Sequence, residues 1–177
     1  MNQQPCVELV LGGTRSGKSR FAEQRSEELA KTHAKPLYIA TAELFDEEMR
    51  QRVRLHQQRR SASWATVEVP LALAPAVRTH SCAGSVLLVD CLSVWLGNLL
   101  HHDKDVDAHT QDLIECLPAL PGPVVMVASE VGLGIVPETP LVRAYRDHAG
   151  QLNQAVAAIC TRVTLVVAGQ PLVIKGG

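Results

Sequence analysis

The chain has 177 residues, 46% of them hydrophobic and 20% charged, with a net charge of −1. That size suggests one domain, 1–177, able to bury a full core without staples. The near-neutral charge and an aromatic content of 3% exclude the basic footprint and stacking platforms of a nucleic-acid binder. The five cysteines, Cys6, Cys82, Cys91, Cys116 and Cys160, have no C-x-x-C spacing, so reduced thiols and a cytoplasmic setting are expected rather than a zinc site or disulfides. The first residues lack a basic and apolar leader, and no apolar run is long enough for a membrane span.

In chain order, Val7–Leu11 reads as a first strand and Arg20–Lys31 as the helix after it. Between them Gly12-Gly13-Thr14-Arg15-Ser16-Gly17-Lys18-Ser19 fits the pattern G-x-x-x-x-G-K-[ST] at every fixed position. Glycines let such a loop curl around an anion, and amides at the helix start point at phosphates. Lys18 is expected on the β- and γ-phosphates, and the Ser19 hydroxyl on Mg²⁺.

Leu37–Thr41 reads as the second strand, followed by a long charged helix over Glu43–Arg60. Arg52, His56 and Arg60 recur every four residues and so share one helix face. This is either a solvated basic face or a histidine kept neutral by its arginines and able to act as a nucleophile. Thr66–Val69 is a short third strand and Val86–Asp90 a fourth. Asp90, at the end of that buried strand, is expected to hold Mg²⁺ beside the loop. His101 and His102 fall in a polar stretch read as a solvated loop.

Val124–Ala128 is the fifth strand. Glu130 after it either positions the metal, accepts a proton from an attacking hydroxyl, or caps its own turn. Thr139-Pro140 starts a helix running to about Ile159. Val163–Val167 and Leu172–Lys175 are the last strands, and the short link Ala168–Pro171 makes that pair antiparallel. The expected architecture is an α/β P-loop NTPase (RecA-like) three-layer fold, with a mostly parallel sheet and an antiparallel C-terminal strand.

Four blocks give the chain a resemblance to the bifunctional adenosylcobinamide kinase / adenosylcobinamide-phosphate guanylyltransferases of cobalamin biosynthesis, over about Val7 to Lys175. They are the loop 12–19; Tyr38-Ile39-Ala40-Thr41 with Asp46-Glu47-Glu48-Met49, Arg52, His56, Arg60, Trp64, Thr66 and Glu68; Asp90-Cys91-Leu92-Ser93 with Trp95 to Leu100; and Glu130 to Glu138 with Arg143, Arg146-Asp147, Gly150 and Asn153. The resemblance implies phosphorylation of adenosylcobinamide with ATP or GTP, then GMP transfer from GTP, giving adenosylcobinamide-GDP and pyrophosphate. It implies His56 as the guanylylated residue, where some relatives carry two adjacent histidines and this chain has Leu55 before His56. It places Glu68 and Asp90 with the nucleotide, Arg52, Arg60 and Glu130 with catalysis, and suggests a homo-oligomer, a trimer in this family. A kinase without the guanylyl step would share Lys18, Ser19 and Asp90 but have no use for His56. A nucleotide sensor would bind without turnover, and a DNA-directed ATPase would need a basic surface that the chain lacks.

Overall fold

The computed structural model describes residues 6–30, 36–43 and 64–176. The helix expected over Glu43–Arg60 therefore falls, apart from Glu43, outside the described residues, and so do Arg52, His56 and Arg60.

Among the described residues, seven strands form one sheet: β1 (Val7–Gly12), β2 (Pro36–Ala40), β3 (Ala65–Glu68), β4 (Val86–Asp90), β5 (Val124–Ser129), β6 (Arg162–Val167) and β7 (Gln170–Lys175), in the spatial order β3-β2-β4-β5-β1-β6-β7. All neighbours run parallel except β6 and β7, which pair antiparallel as expected. The described helices are α1 (Lys18–Ala30), α2 (Leu73–His80), α3 (Leu92–His101), α4 (Val106–Cys116) and α5 (Pro140–Ile159).

Continuous apolar runs make the central strands because both sheet faces are covered. On one face Leu9, Val89 and Met126 pack with Leu73, Trp95, Leu96, Leu113 and Val156 from α2, α3, α4 and α5. On the other, Val10, Leu88, Val125 and Val127 pack with Ala22 and Phe21 of α1. Alternate residues of one strand thus enter opposite cores, the period-two signature of a sheet between two helical layers.

Three of the helices, α2, α3 and α4, are not apparent from sequence pattern alone. Of the stretch read as a solvated loop, His101 is the last residue of α3, while His102, Asp103 at φ 50°, Lys104 and Asp105 form the exposed link to α4, as expected. Asp105 begins α4 by accepting a hydrogen bond from the Ala108 amide at 2.9 Å. The cap expected at Thr139, with Pro140 in the first turn, is present, and α5 has the expected bounds.

β7 begins two residues earlier than the sequence suggests, at Gln170, so Ala168 and Gly169 alone make the turn. Both have positive φ, 51° and 77°, as a two-residue turn matched to strand twist requires. Lys175, at the far end of β7, donates to the carbonyls of Ala157 and Ala158 at 2.9 Å each. That places a cation on the negative end of α5.

One buried ion pair fastens α1 to the sheet. Glu8, inside β1 and 3% exposed, receives Arg25 Nε at 2.8 Å and Nη2 at 2.7 Å. The paired carboxylate holds the guanidinium more firmly protonated than usual. Arg25→Ala strands a buried charge. Because Arg25 is itself partly solvated, we expect a loss of about 3 kcal/mol. Urea unfolding measures this; a change under about 1 kcal/mol, the scale of an ordinary surface pair, would contradict the role given to the pair.

Candidate functional site

The loop 12–19 lies where β1 turns into α1, at the C-terminal edge of the parallel sheet, the edge at which such sheets bind ligands. Its shape demands glycine at two points. A Cβ on Gly12 would lie 2.7 Å from the Val166 carbonyl oxygen and against the Ser16 side chain, and Gly17 has φ 95°. Arg15 also takes the left-handed region, at φ 56°. Ser16 N donates to the Gly13 carbonyl at 3.2 Å, and Phe21 N to the Gly17 carbonyl at 3.0 Å, which opens the α1 ladder. The amides of a helix's first turn have no intrahelical acceptor, and the dipole makes that end positive. Gly13, Thr14, Arg15 and Gly17 are exposed, while Ser16, Lys18 and Ser19 are half-buried. Lys18 Nζ folds back over the loop onto the Gly13 carbonyl, 3.2 Å away.

Asp90 ends β4, two strands from β1 in the sheet order. Tyr38 of β2 donates its hydroxyl to Asp90 Oδ2 at 3.1 Å, which orients the carboxylate. Cys91, next in the chain, is sensitive to both charged groups. Burial first, and the Asp90 charge second, push its thiol up to about 12, while the Lys18 charge pulls it down. One thiol therefore feels both the loop lysine and the strand-end carboxylate. Hydroxyl and carboxylate oxygens from Ser19 and Asp90 are the hard donors that Mg²⁺ prefers. Among the described residues no group of three or more His, Cys, Asp or Glu could form an all-protein metal cage. Mg²⁺ seldom uses one, relying on one or two carboxylates, water and substrate phosphate.

The other predicted residues are more dispersed. Glu130 follows β5, and its amide donates to the Gly12 carbonyl at 3.1 Å, so its backbone is stitched to the start of the loop. Its carboxylate accepts the Gly132 amide at 2.6 Å, the turn-capping geometry. Glu68 is exposed at the end of β3, four strands from β1. At about 4.8 Å per strand that is about 19 Å from the loop. It shares the loop's sheet edge but lies across the sheet from the loop itself. Arg143 donates to the carbonyls of Pro137 and Glu138 at 2.9 and 2.7 Å, and Arg146 lies 3.7 Å from Asp147.

Long-range polar clamps that no local sequence signal assigns hold this edge in place. Thr41 Oγ1 donates to the Cys91 carbonyl at 2.8 Å and accepts its amide at 2.9 Å, tying the ends of β2 and β4. Asn98, 4% exposed, donates to the Thr41 and Pro70 carbonyls at 2.7 and 3.0 Å. Ser93 Oγ accepts the Ser129 amide at 2.6 Å, and Asn153 Nδ2 donates to the Ser129 carbonyl at 3.3 Å. Buried polar groups must be paired, and here each spends its bonds on the chain at or just past a strand end. The available signal was a lone polar residue on an otherwise apolar helix face.

Solved structures of low sequence identity share the fold. The flagellar accessory protein FlaH from Methanocaldococcus jannaschii superposes with a TM-score of 0.55 at 13% identity, covering 97% of this chain and 79% of that one. A KaiC-like protein from the hyperthermophilic archaeon Pyrococcus horikoshii gives a TM-score of 0.51 at 14% identity, with coverage of 92% and 71%. The architecture is thus an α/β P-loop NTPase fold with a mostly parallel sheet. Whole-length relatives go further. The bifunctional adenosylcobalamin biosynthesis protein CobP of Pseudomonas aeruginosa is 49% identical, covering 96% of this chain and 97% of that protein. The bifunctional adenosylcobalamin biosynthesis protein CobU of Escherichia coli is 40% identical, with coverage of 94% and 98%. A family model described as cobinamide kinase / cobinamide phosphate guanyltransferase matches residues 8–174. The chain therefore belongs to the cobinamide kinase / cobinamide phosphate guanyltransferase family, and it is an enzyme of cobalamin biosynthesis.

Proposed function

We propose that this enzyme carries out two successive transfers on one substrate. It first moves the γ-phosphoryl group of ATP or GTP to the hydroxyl of the aminopropanol arm of adenosylcobinamide. It then moves GMP from GTP to that new phosphate, giving adenosylcobinamide-GDP and pyrophosphate. The family match over residues 8–174 supports the pair of reactions. The observation that carries the nucleotide site is the loop 12–19, opening at the same sheet edge as Asp90.

In this reading the amides at the α1 start and the Lys18 ammonium receive the triphosphate. Gly12, Gly13, Thr14, Arg15, Ser16 and Gly17 supply the curved backbone around it. Ser19 and Asp90 would hold Mg²⁺, with Tyr38 keeping the Asp90 carboxylate turned to its task. When bound, the metal neutralises charge on the phosphate oxygens. Glu130, whose amide is bonded to the Gly12 carbonyl, would accept the proton of the attacking hydroxyl once its carboxylate leaves the Gly132 amide. Glu68, remote from the cradle, suits the nucleoside end of a ligand lying along the sheet edge.

The second transfer is assigned to His56 from the resemblance of its sequence block. A neutral imidazole nitrogen attacks the α-phosphorus of GTP, the bond to the bridging oxygen breaks, and pyrophosphate leaves. An oxygen of the substrate phosphate then attacks the same phosphorus, the P–N bond breaks, and the imidazole is restored. Arg52 and Arg60, four residues to either side of His56, neutralise the phosphates in transit. Adenosylcobinamide and nucleotide are the partners, the chain works as one domain in the cytoplasm, and a trimer is the assembly this family reading favours. Among the described residues, no helix is long and apolar enough to cross a membrane.

Two outcomes follow. With Mg²⁺ and GTP labelled at the α-phosphorus, denatured protein should carry acid-labile, alkali-stable label. The label should be absent with γ-labelled GTP and in His56→Asn. No label while nucleotide binding persists would leave a P-loop kinase without the covalent step. Separately, Lys18→Ala and Asp90→Asn should each lower the kinase kcat by about 10²- to 10³-fold, the cost of losing one preorganised charge at a phosphoryl centre. Circular dichroism should stay unchanged, and a kinetic loss under threefold would remove either residue from the site.

A further inference from the structure

β7 is an unusual strand for a core sheet, because all six of its residues, Gln170–Lys175, are exposed. It carries apolar side chains at Leu172, Val173 and Ile174 yet buries none of them fully. Burial in the core is therefore not what this strand contributes. Its two ends are both tied down. At one end Lys175 holds the last carbonyls of α5, and Arg162 Nη1 donates to the Gly176 carbonyl at 3.1 Å. At the other end the Ala168–Gly169 turn presses on the phosphate loop. The Gly169 amide donates to the Ser16 carbonyl at 2.8 Å, and a Cβ on Gly17 would meet Gly169 Cα at 3.3 Å.

That single contact fixes a peptide plane. In a trans peptide the carbonyl and the following N–H point in opposite directions. Holding Ser16 C=O against the hairpin therefore turns the Gly17 N–H away from it. Gly17, with φ 95°, lies in the exposed bend of the loop immediately before α1. We infer that Gly169, at the tip of the β6–β7 hairpin, is a positioning residue for nucleotide binding, orienting the Ser16–Gly17 peptide so that the Gly17 amide faces the phosphates. The inference rests on the reading of loop 12–19 as the phosphate site.

The geometry at Gly169 allows a clean test. Its φ is 77°, but a Cβ there would meet nothing within 4 Å. Space is free and only the backbone conformation is demanding. Asn tolerates the left-handed region, whereas Ala resists it and a β-branched residue resists it more. Gly169→Asn should therefore keep both the turn and the amide contact. Gly169→Val should shift the amide, and Gly169→Ala is the milder version should the valine variant fold poorly.

Titration of the full chain with GTP and with tripolyphosphate should show Gly169→Asn within twofold of wild type. Gly169→Val should bind both probes about tenfold more weakly, the scale of one hydrogen bond to a charged group, and Gly169→Ala about threefold more weakly. The melting temperature of Gly169→Ala should remain near that of wild type. Kinase KM for nucleotide should rise with little change in kcat, a split that general destabilisation would not produce. Wild-type affinity in both Ala and Val variants, or equal weakening in Asn and Val, would overturn the positioning role while leaving the phosphate site intact. Failure of the wild-type chain itself to bind either probe would overturn the phosphate-site reading and this inference with it.

Discussion

The passage of the chain from β1 into α1 is the constraint on which the rest depends. At Gly12 the backbone runs so close to the Val166 carbonyl and the Ser16 side chain that no Cβ fits. A few residues to either side, the Glu8 carboxylate in β1 grips Arg25 in α1 with three hydrogen bonds of 2.7–3.1 Å. The ion pair sets the distance between strand and helix, and the loop must bridge it with the curvature that glycine permits. A helix fixed in that way presents its N-terminal amides at the sheet edge instead of packing them away. The left-handed backbone at Arg15 is tolerated because the elements on both sides are held.

The surrounding edge is arranged around that opening. β4 delivers Asp90, Tyr38 from β2 orients it, and Thr41 bolts the two strand ends together through Cys91. α3 and α5 spend buried polar side chains on strand ends, where apolar residues would pack as well but fix less. Preorganisation of this kind suits phosphoryl and nucleotidyl transfer, in which the protein's part is positioning and charge stabilisation. Both transfers proposed here handle a triphosphate, so one rigid cradle can serve each. What differs between them is which phosphorus is presented to which nucleophile.

Much of this was legible in the sequence. β4 and α5 have the bounds read from their apolar run and their Thr-Pro cap, and the loop 12–19 announced itself by spacing and flanks. Asp90 could be singled out because it ends a buried strand at the ligand edge of a sheet whose first loop fits the phosphate pattern. Other parts were not readable, for physical reasons. α3, LSVWLGNLLH, is apolar on most of its circumference, so periodicity does not separate it from a buried strand. Gln170 and Pro171 read as turn residues because β7 lies exposed at the edge, where proline is tolerated and no core imprints alternation. The Tyr38–Asp90 and Gly169–Ser16 contacts join residues far apart in the chain, and only the folded sheet brings them together.

The most direct measurement of the central claim is product analysis by mass spectrometry. Purified chain would be incubated with adenosylcobinamide, Mg²⁺ and GTP. The account predicts sequential appearance of adenosylcobinamide phosphate and then adenosylcobinamide-GDP, with one pyrophosphate released per GMP transferred. Accumulation of the phosphate alone, with no GDP product at any GTP concentration, would contradict the claim that one chain performs both transfers.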